Sequence, residues 1–300
     1  MAALAGGAAA IACAPIFVRL ALAGGVGPVA IAFWRLALAV PPLGLWLAWH
    51  TSISRRRGLA APDRAPWLRL TGGLALAGLF FAADLGVWHV SIRFTKVANA
   101  TLLANFAPVF VTLGAWALWG QRPRRLFLAG LAAALTGAAL LLGGSLQLSA
   151  RFVTGDALGL LTAVFYGGYL LTVSRLRTTG RSVVEIMFWA SAAAAGALLP
   201  AVLMLSEPLR PPSAGAWWPL IGLALVSQVG GQGLIAYALA HLPAAFSSVT
   251  LLLQPVLAAL FAWAWLGEGL GLLHLAGGAI VLAGIVLARL GSLPAGRQAE

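Results

Sequence analysis

Long apolar stretches separated by short polar connections dominate this chain. Ten of them are long enough for a transmembrane helix, which needs about 20 apolar residues. The two longest connections, 50–66 and 206–214, contain proline and polar residues and are too short for a soluble catalytic domain. The pattern therefore predicts an all-α membrane protein with ten transmembrane helices. The predicted spans are 3–23, 27–49, 67–92, 95–119, 124–145, 154–175, 182–205, 215–240, 244–266 and 270–290.

The composition of the chain is also typical of a membrane protein. Hydrophobic residues make up 61% of the chain and charged residues 9%, which leaves too little polar surface for a water-soluble globule. The first span has no basic segment before it, so we interpret it as a helix and not as a cleaved signal. The single cysteine, Cys13, excludes an intrachain disulfide and a thiolate zinc site.

The chemical motifs of enzymes are missing from the sequence. We find no phosphate-binding loop, no HExxH motif and no paired carboxylates or Ser/His/Asp arrangement. The net charge of +12 comes without the aromatic and basic interleaving of a nucleic-acid surface. We therefore expect no enzyme activity, no cofactor, no metal and no nucleic-acid partner.

The distribution of basic residues predicts the orientation of the helices. Cytoplasmic loops of membrane proteins carry an excess of Lys and Arg. If the N-terminus is cytoplasmic, thirteen arginines lie inside, against four basic residues outside. Both termini are therefore predicted to be cytoplasmic. The inside set is Arg55, Arg56, Arg57, Arg64, Arg69, Arg122, Arg124, Arg125, Arg175, Arg177, Arg181, Arg289 and Arg297, and the outside set is Arg93, Lys96, Arg151 and Arg210.

The chain contains an internal repeat. Residues 96–143 align with residues 243–290 without a gap, and about 16 of the 48 positions are identical. The matches include Pro108 with Pro255, Trp116 with Trp263, Gly120 with Gly267, Gly130 with Gly277 and Gly137 with Gly284. Weaker matches join 26–34 to 181–189 and Gly86 to Gly233.

This repeat predicts two units of five helices, residues 1–148 and 149–300. Because five is an odd number, the second unit lies inverted in the bilayer relative to the first. Transporters with inverted repeats bind their substrate near the midplane, where the two units meet.

The chain resembles the EamA-type branch of the drug/metabolite transporter superfamily. The resemblance rests on Phe33–Arg35 in the second span, ANATLLANFAPVF (98–110) in the fourth, SSVTLLLQPVLAAL (247–260) in the ninth, and the turns Gly120–Gln121 and Gly267–Glu268. It covers nearly the whole chain. It implies export of amino acids, other metabolites or toxic cations, with spans 1, 3, 4, 6, 8 and 9 around a central cavity and spans 5 and 10 behind it.

Polar groups inside hydrocarbon are costly and mark candidate sites. Arg35 and Asp84 are both predicted roughly 12 Å below the outer surface, at 1.5 Å per residue. They either form a structural bridge or share a zwitterionic substrate, and Asp84 is also a candidate proton carrier. Trp88, one turn after Asp84, is either an interfacial anchor or a substrate contact. His89 is a structural imidazole or a proton or substrate contact.

Further candidates lie on four other spans. Asn99 and Asn105 precede Pro108, and Gln254 precedes Pro255. These amide side chains either bind substrate or only join helices. The two prolines produce either gating kinks or static bends. Gln228 and Gln232, four residues apart, are predicted on one polar face of a cavity wall. Tyr166 and Tyr169 suit an amphipathic substrate or ordinary packing. The paired glycines of spans 5 and 10 indicate close helix packing, within the protomer or between protomers.

These observations predict a secondary transporter or facilitator in the bacterial inner membrane. It would export small amphipathic metabolites, mainly amino acids including aromatic ones, by alternating access around a central cavity. The alternatives are a multidrug or cationic-toxin exporter and a transporter of nucleotide-linked or other metabolites. A channel would need a continuous stripe of polar residues across the membrane, and the polar residues of this chain stop short of a full pore. The expected partners are a small-molecule substrate and the lipid bilayer, and the choice between monomer and homodimer stays open.

Overall fold

The described part of the chain is helical throughout. A computed structural model describes residues 1–56, 67–95, 97–143, 152–267 and 269–292. Within these ranges there are ten helices long and apolar enough to cross a membrane, as the hydrophobic pattern predicts. They are α1 (Ala2–Ala12 and Ala14–Ala23), α2 (Pro28–Ala37 and Val40–Arg56), α3 (Trp67–Phe94), α4 (Val97–Ala104 and Ala107–Trp119), α5 (Arg125–Gly143), α6 (Val153–Thr178), α7 (Val183–Met204), α8 (Trp217–Gly222, Leu223–Gln232 and Gly233–Ala238), α9 (Ala244–Thr250 and Leu253–Leu266) and α10 (Leu272–Ser292).

The predicted connection 50–66 is wrong in its first part. Helix α2 continues to Arg56, so residues 50–56 lengthen this helix instead of forming a loop. The rest of that connection, 57–66, lies outside the described residues, as do Lys96, Arg151, Glu268 and Arg297. The structure also leaves the side chains of Arg55, Arg56, Arg69 and Arg93 undescribed.

Prolines account for the interruptions in four helices. The breaks fall at Cys13, at residues 38–39, at 105–106 and at 251–252, and each precedes a proline by two to four residues. Proline lacks an N–H and its ring clashes with the carbonyl four residues earlier, which disfavours a regular helix, although α7 continues through Pro200. Two of these breaks, before Pro108 and Pro255, occupy nearly corresponding places in the repeat.

Two glycines end the fourth and ninth helices in the same way. Gly120 and Gly267 both have φ of +68° in the left-handed region. A side chain at either position would be strained, which explains why the repeat carries glycine at both.

Helices α5 and α10 pack against each other along a glycine seam. A Cβ added at Gly137 would lie 2.6 Å from Val281 N, and one added at Gly277 would lie 2.7 Å from Gly137 O. The backbones therefore touch with no side chain between them, as small residues permit in membranes. The seam lies within the protomer, which answers the question that the sequence left open. Its glycines are Gly130, Gly137, Gly277, Gly284 and Gly291.

The other helices interleave the two halves of the chain. Helix α1 packs on α8 and α9, α2 and α3 pack on α7, and α6 packs on α3 and α4. Two hydrogen bonds fasten the start of α2 to the connection after α7: Ala30 N donates to Glu207 Oε2 (2.8 Å) and Trp34 Nε1 donates to Leu209 O (2.7 Å). This arrangement brings polar side chains from both halves to the centre of the bundle.

Candidate functional site

A central cavity of about 220 Å³ lies inside the bundle. Seven helices supply its described walls: α1, α2, α3, α4, α6, α8 and α9. The six spans that the family resemblance implies are all present, and α2 is an addition. Most of the wall is apolar, with a few converging polar groups, which is the usual character of a small-molecule site.

The structure brings ten of the thirteen predicted residues to this cavity and leaves three outside its wall. The ten are Arg35, Asp84, Trp88, His89, Asn105, Pro108, Tyr166, Gln232, Gln254 and Pro255. Asn99, Tyr169 and Gln228 are buried behind the wall. Phe81 and Thr162 also line the cavity, although the sequence analysis did not select them. The position of Phe81, one turn before Asp84, is the signal that could have indicated it.

The guanidinium of Arg35 makes two contacts with the protein and also faces the cavity. Its Nε donates to Gln228 Oε1 (3.1 Å), and its guanidinium lies over the Phe81 ring, 5.6 Å from the centroid. Among the described residues, its terminal nitrogens make no hydrogen bond, while Arg35 itself faces the cavity. A guanidinium fork fixed in this way is suited to a carboxylate.

Asp84 faces the same cavity and is 8% exposed. Within the described chain no direct salt bridge joins it to Arg35, whereas Arg181 and Glu185 form one beside the first turn of α7. The structural bridge, one of the two predicted roles, is therefore absent from this conformation. One cavity instead presents a guanidinium and a carboxyl group that make no direct contact.

Trp88 and His89 stand next to this charged pair on α3. Their rings meet edge to face, with centroids 4.9 Å apart. His89 Nδ1 donates to Leu85 O (2.6 Å), which assigns the proton on that nitrogen and fixes the ring. Trp88 lines the cavity.

Gln228 and Gln232 do not both line the cavity, contrary to the prediction of one polar wall. They lie in a π-helical stretch, Leu223–Gln232, whose i→i+5 hydrogen bonds widen each turn. Gln232 reaches the cavity, whereas Gln228 binds Arg35 and donates through Nε2 to Ser191 Oγ (3.2 Å). Gln228 thus positions Arg35 from behind the wall, and no feature of the sequence marked Ser191 as its support.

Of the two tyrosines, Tyr166 lines the cavity and Tyr169 lies behind its wall. Tyr169 is 1% exposed, stacks on Phe81 with centroids 4.6 Å apart, and directs its hydroxyl to Met187 Sδ (3.9 Å). Tyr166 lines the cavity, as do Gln232 and Gln254. Packing is thus the role of Tyr169, while Tyr166 presents a polar group to the site.

Asn99 belongs to a junction of three helices and not to the cavity. Its Nδ2 donates to Asp156 Oδ1 (3.3 Å), and Thr95 Oγ1 donates to the same oxygen (2.6 Å). Ser91 Oγ donates to the neighbouring carbonyl of Gly155 (2.8 Å). These bonds join the end of α3 and the start of α4 to the start of α6. The sequence analysis missed Asp156 because it reads as an ordinary first-turn acid.

A bundle of ten membrane-spanning helices around a central cavity with few polar groups defines the class of multi-pass membrane transporters. The chain belongs to the EamA-like transporter family, whose model matches residues 1–143 and 153–290. The family and the relatives named as transporters indicate that this protein is not an enzyme but a transporter, which moves a small molecule across a lipid membrane.

Several relatives are similar over most of their length. A probable terminal-alkyne amino-acid exporter of Streptantibioticus cattleyicolor is 32% identical over 90% of this chain and 84% of its own. The pseudopaline exporter CntI of Pseudomonas aeruginosa is 30% identical over 72% of this chain and 74% of its own. An uncharacterized transporter of Archaeoglobus fulgidus is 29% identical over 91% of both chains. A crystal structure with 21% identity superposes with a TM-score of 0.75 over 97% of this chain and 99% of its own, which shows the shared fold.

Proposed function

We propose that this protein is a secondary transporter or facilitator that exports amino acids, including aromatic ones, across the bacterial inner membrane. The observation that carries the proposal is the pair of opposite charges in the cavity. Arg35 offers a guanidinium fork and Asp84 a carboxylate, without a direct bridge between them. An α-amino acid carries the complementary carboxylate and ammonium, and both would be matched inside the bundle.

The rest of the cavity suits the remainder of an amino acid. Ile31, Leu85, Trp88 and Leu170 supply apolar wall for an aliphatic or aromatic side chain. The volume of about 220 Å³ lies below the roughly 300–1,000 Å³ of pockets for drug-sized ligands. A single amino acid is therefore favoured over a bulky drug. The relative from Streptantibioticus, which is named as an amino-acid exporter, supports this choice.

We also propose that transport proceeds by alternating access between two inverted five-helix repeats, 1–148 and 149–300. Supporting features are the matching left-handed caps at Gly120 and Gly267, the similarly placed breaks before Pro108 and Pro255, and the symmetric glycine seam. Because both prolines line the cavity, bending at the breaks would change its shape and provide the gate.

The direct test is counterflow in proteoliposomes with radiolabelled amino acids, with and without a pH gradient. Phenylalanine should exchange, whereas phenethylamine and 3-phenylpropionate should compete at least about tenfold less well, because each leaves one cavity charge unmatched. Equal competition by phenethylamine would favour the cationic-toxin alternative. A dependence on the gradient would indicate proton antiport.

The proposed orientation has its own test. Ser52 at the end of α2 and Ser213 before α8 are both exposed. With Cys13 replaced by Ala, Ser52→Cys should react with a membrane-impermeant maleimide from the cytoplasmic side, and Ser213→Cys should react from outside. The reverse result would invert the topology and leave the fold unchanged.

A further inference from the structure

We propose that the cavity contains a second, neutral subsite that recognises a side-chain carboxamide, so that glutamine is a preferred substrate. This inference rests on the proposed amino-acid transport and specifies its substrate. The neutral subsite consists of four side chains from four helices: Asn105 on α4, Tyr166 on α6, Gln232 on α8 and Gln254 on α9.

Three of these side chains hold buried polar atoms without a hydrogen-bond partner in the described protein. They are Asn105 Nδ2, the Tyr166 hydroxyl and Gln232 Oε1. Gln232 is 2% exposed as a residue, and all three residues line the cavity. Buried polar groups in proteins are nearly always hydrogen-bonded, so such a cluster indicates that a ligand or water completes it.

A series of stacked rings, which runs partly behind the cavity wall, connects the neutral subsite to the charged end. Arg35 lies over Phe81, Phe81 stacks on Tyr169, and Tyr169 stacks on Tyr166 with centroids 6.0 Å apart. Tyr166, Arg35 and Asp84 line the same cavity. A single amino acid held by Arg35 and Asp84 would therefore direct its side chain toward Tyr166.

The chemistry of the unpartnered atoms selects the side chain. Asn105 Nδ2 is a donor, Gln232 Oε1 is an acceptor and the Tyr166 hydroxyl can be either. A carboxamide carries an acceptor oxygen and a donor nitrogen on one carbon, so it can pair with these unpartnered atoms. An aliphatic side chain would displace water and leave these atoms unpaired, which is costly. A charged side chain would meet no countercharge among the four residues.

The test compares glutamine with methionine, which has a similar length but no amide. In wild-type proteoliposomes, glutamine should compete for counterflow at a concentration at least about tenfold lower than methionine. Tyr166→Phe removes one hydroxyl and keeps the ring, so the ratio should fall below about threefold while methionine exchange is retained.

Tyr169→Phe is the matched control. It removes a hydroxyl three residues away on the same helix, outside the cavity, and should keep the wild-type ratio. Equal competition by glutamine and methionine, or the same loss of preference in both variants, would overturn the neutral subsite while amino-acid transport stands. If neither amino acid exchanges, both proposals fail. Size-exclusion profiles of the three proteins establish that each variant is folded.

Discussion

Helices α5 and α10 are equivalent in the repeat, and so are α4 and α9, but the members of the two pairs contact each other in different ways. Helices α5 and α10 touch through glycine backbones with no side chain between them. Helices α4 and α9 are broken before Pro108 and Pro255, and both contribute wall to the central cavity. One repeated sequence thus builds a closed seam at the back and a cavity-lining surface at the front.

Residue size and backbone continuity explain the difference. Glycines at seven-residue spacing keep one helix face flat, which lets two unbroken helices lie in contact over their length. In α4 and α9, proline removes backbone hydrogen bonds and leaves room for motion at the break. A transporter needs both properties, because a moving front requires a back that stays in place.

The largest expected effect comes from filling the glycine seam. A Cβ at Gly284 would lie 2.5 Å from Ala134 N and 2.7 Å from Gly130 O, and backbone atoms cannot move aside. Gly284→Leu should therefore cost more than about 3 kcal/mol through overpacking and abolish the folded monomer in size-exclusion profiles. Gly196→Leu is the control, since a Cβ there meets nothing within 4 Å. A stable Gly284→Leu protein would show that the two helices can separate.

The second prediction concerns the charged end of the cavity. Asp84→Asn keeps the shape of the side chain and removes its charge, so the ammonium of a bound amino acid loses its partner. A charged hydrogen bond contributes about 1.5–3 kcal/mol, so counterflow activity should fall by roughly 10- to 100-fold with the melting temperature unchanged. Glu185→Gln, at the first turn of α7, should transport normally. Full activity of Asp84→Asn would remove Asp84 from the site.

A smaller effect is expected at the break in α9. Pro255→Ala restores the N–H that a continuous helix needs, and stiffening the break should slow the conformational step. Initial counterflow rates should fall roughly threefold with an unchanged half-saturation concentration, since gating motions often limit turnover. Pro200→Ala, inside α7 and away from the cavity wall, provides the comparison. Equal rates for both variants would make the break before Pro255 a static bend.

The membrane class, the spans and the helix breaks could be predicted from the sequence because each depends on local chemistry. Apolar runs of about 20 residues have few alternatives to spanning a bilayer. Proline disfavours a regular helix in its interior, so residue type indicated the breaks before Pro108 and Pro255, although α7 continues through Pro200. Matched glycines also predicted close packing, although their spacing could not show which helix lies opposite.

The partners of individual polar side chains could not be predicted in this way. Gln228 binds Arg35 behind the wall while Gln232 reaches the cavity, and their four-residue spacing does not reveal this difference. Asn99 turns toward Asp156 across more than fifty residues of sequence, and Ser191 supports Gln228 from another helix. The rotation of each helix decides which polar group reaches the cavity, and this rotation is fixed by tertiary packing.

The interleaved packing of the two halves has a consequence for biosynthesis. Chains are made from the N-terminus, and domains generally fold in that order. Here α1, α2 and α3 pack largely on α6, α7, α8 and α9, and α2 is fastened by bonds to Glu207 and Leu209. The first five helices must therefore enter the membrane before most of their partners have been synthesised. Insertion and tertiary assembly become separate events, and the bundle can close only after the second half has left the ribosome.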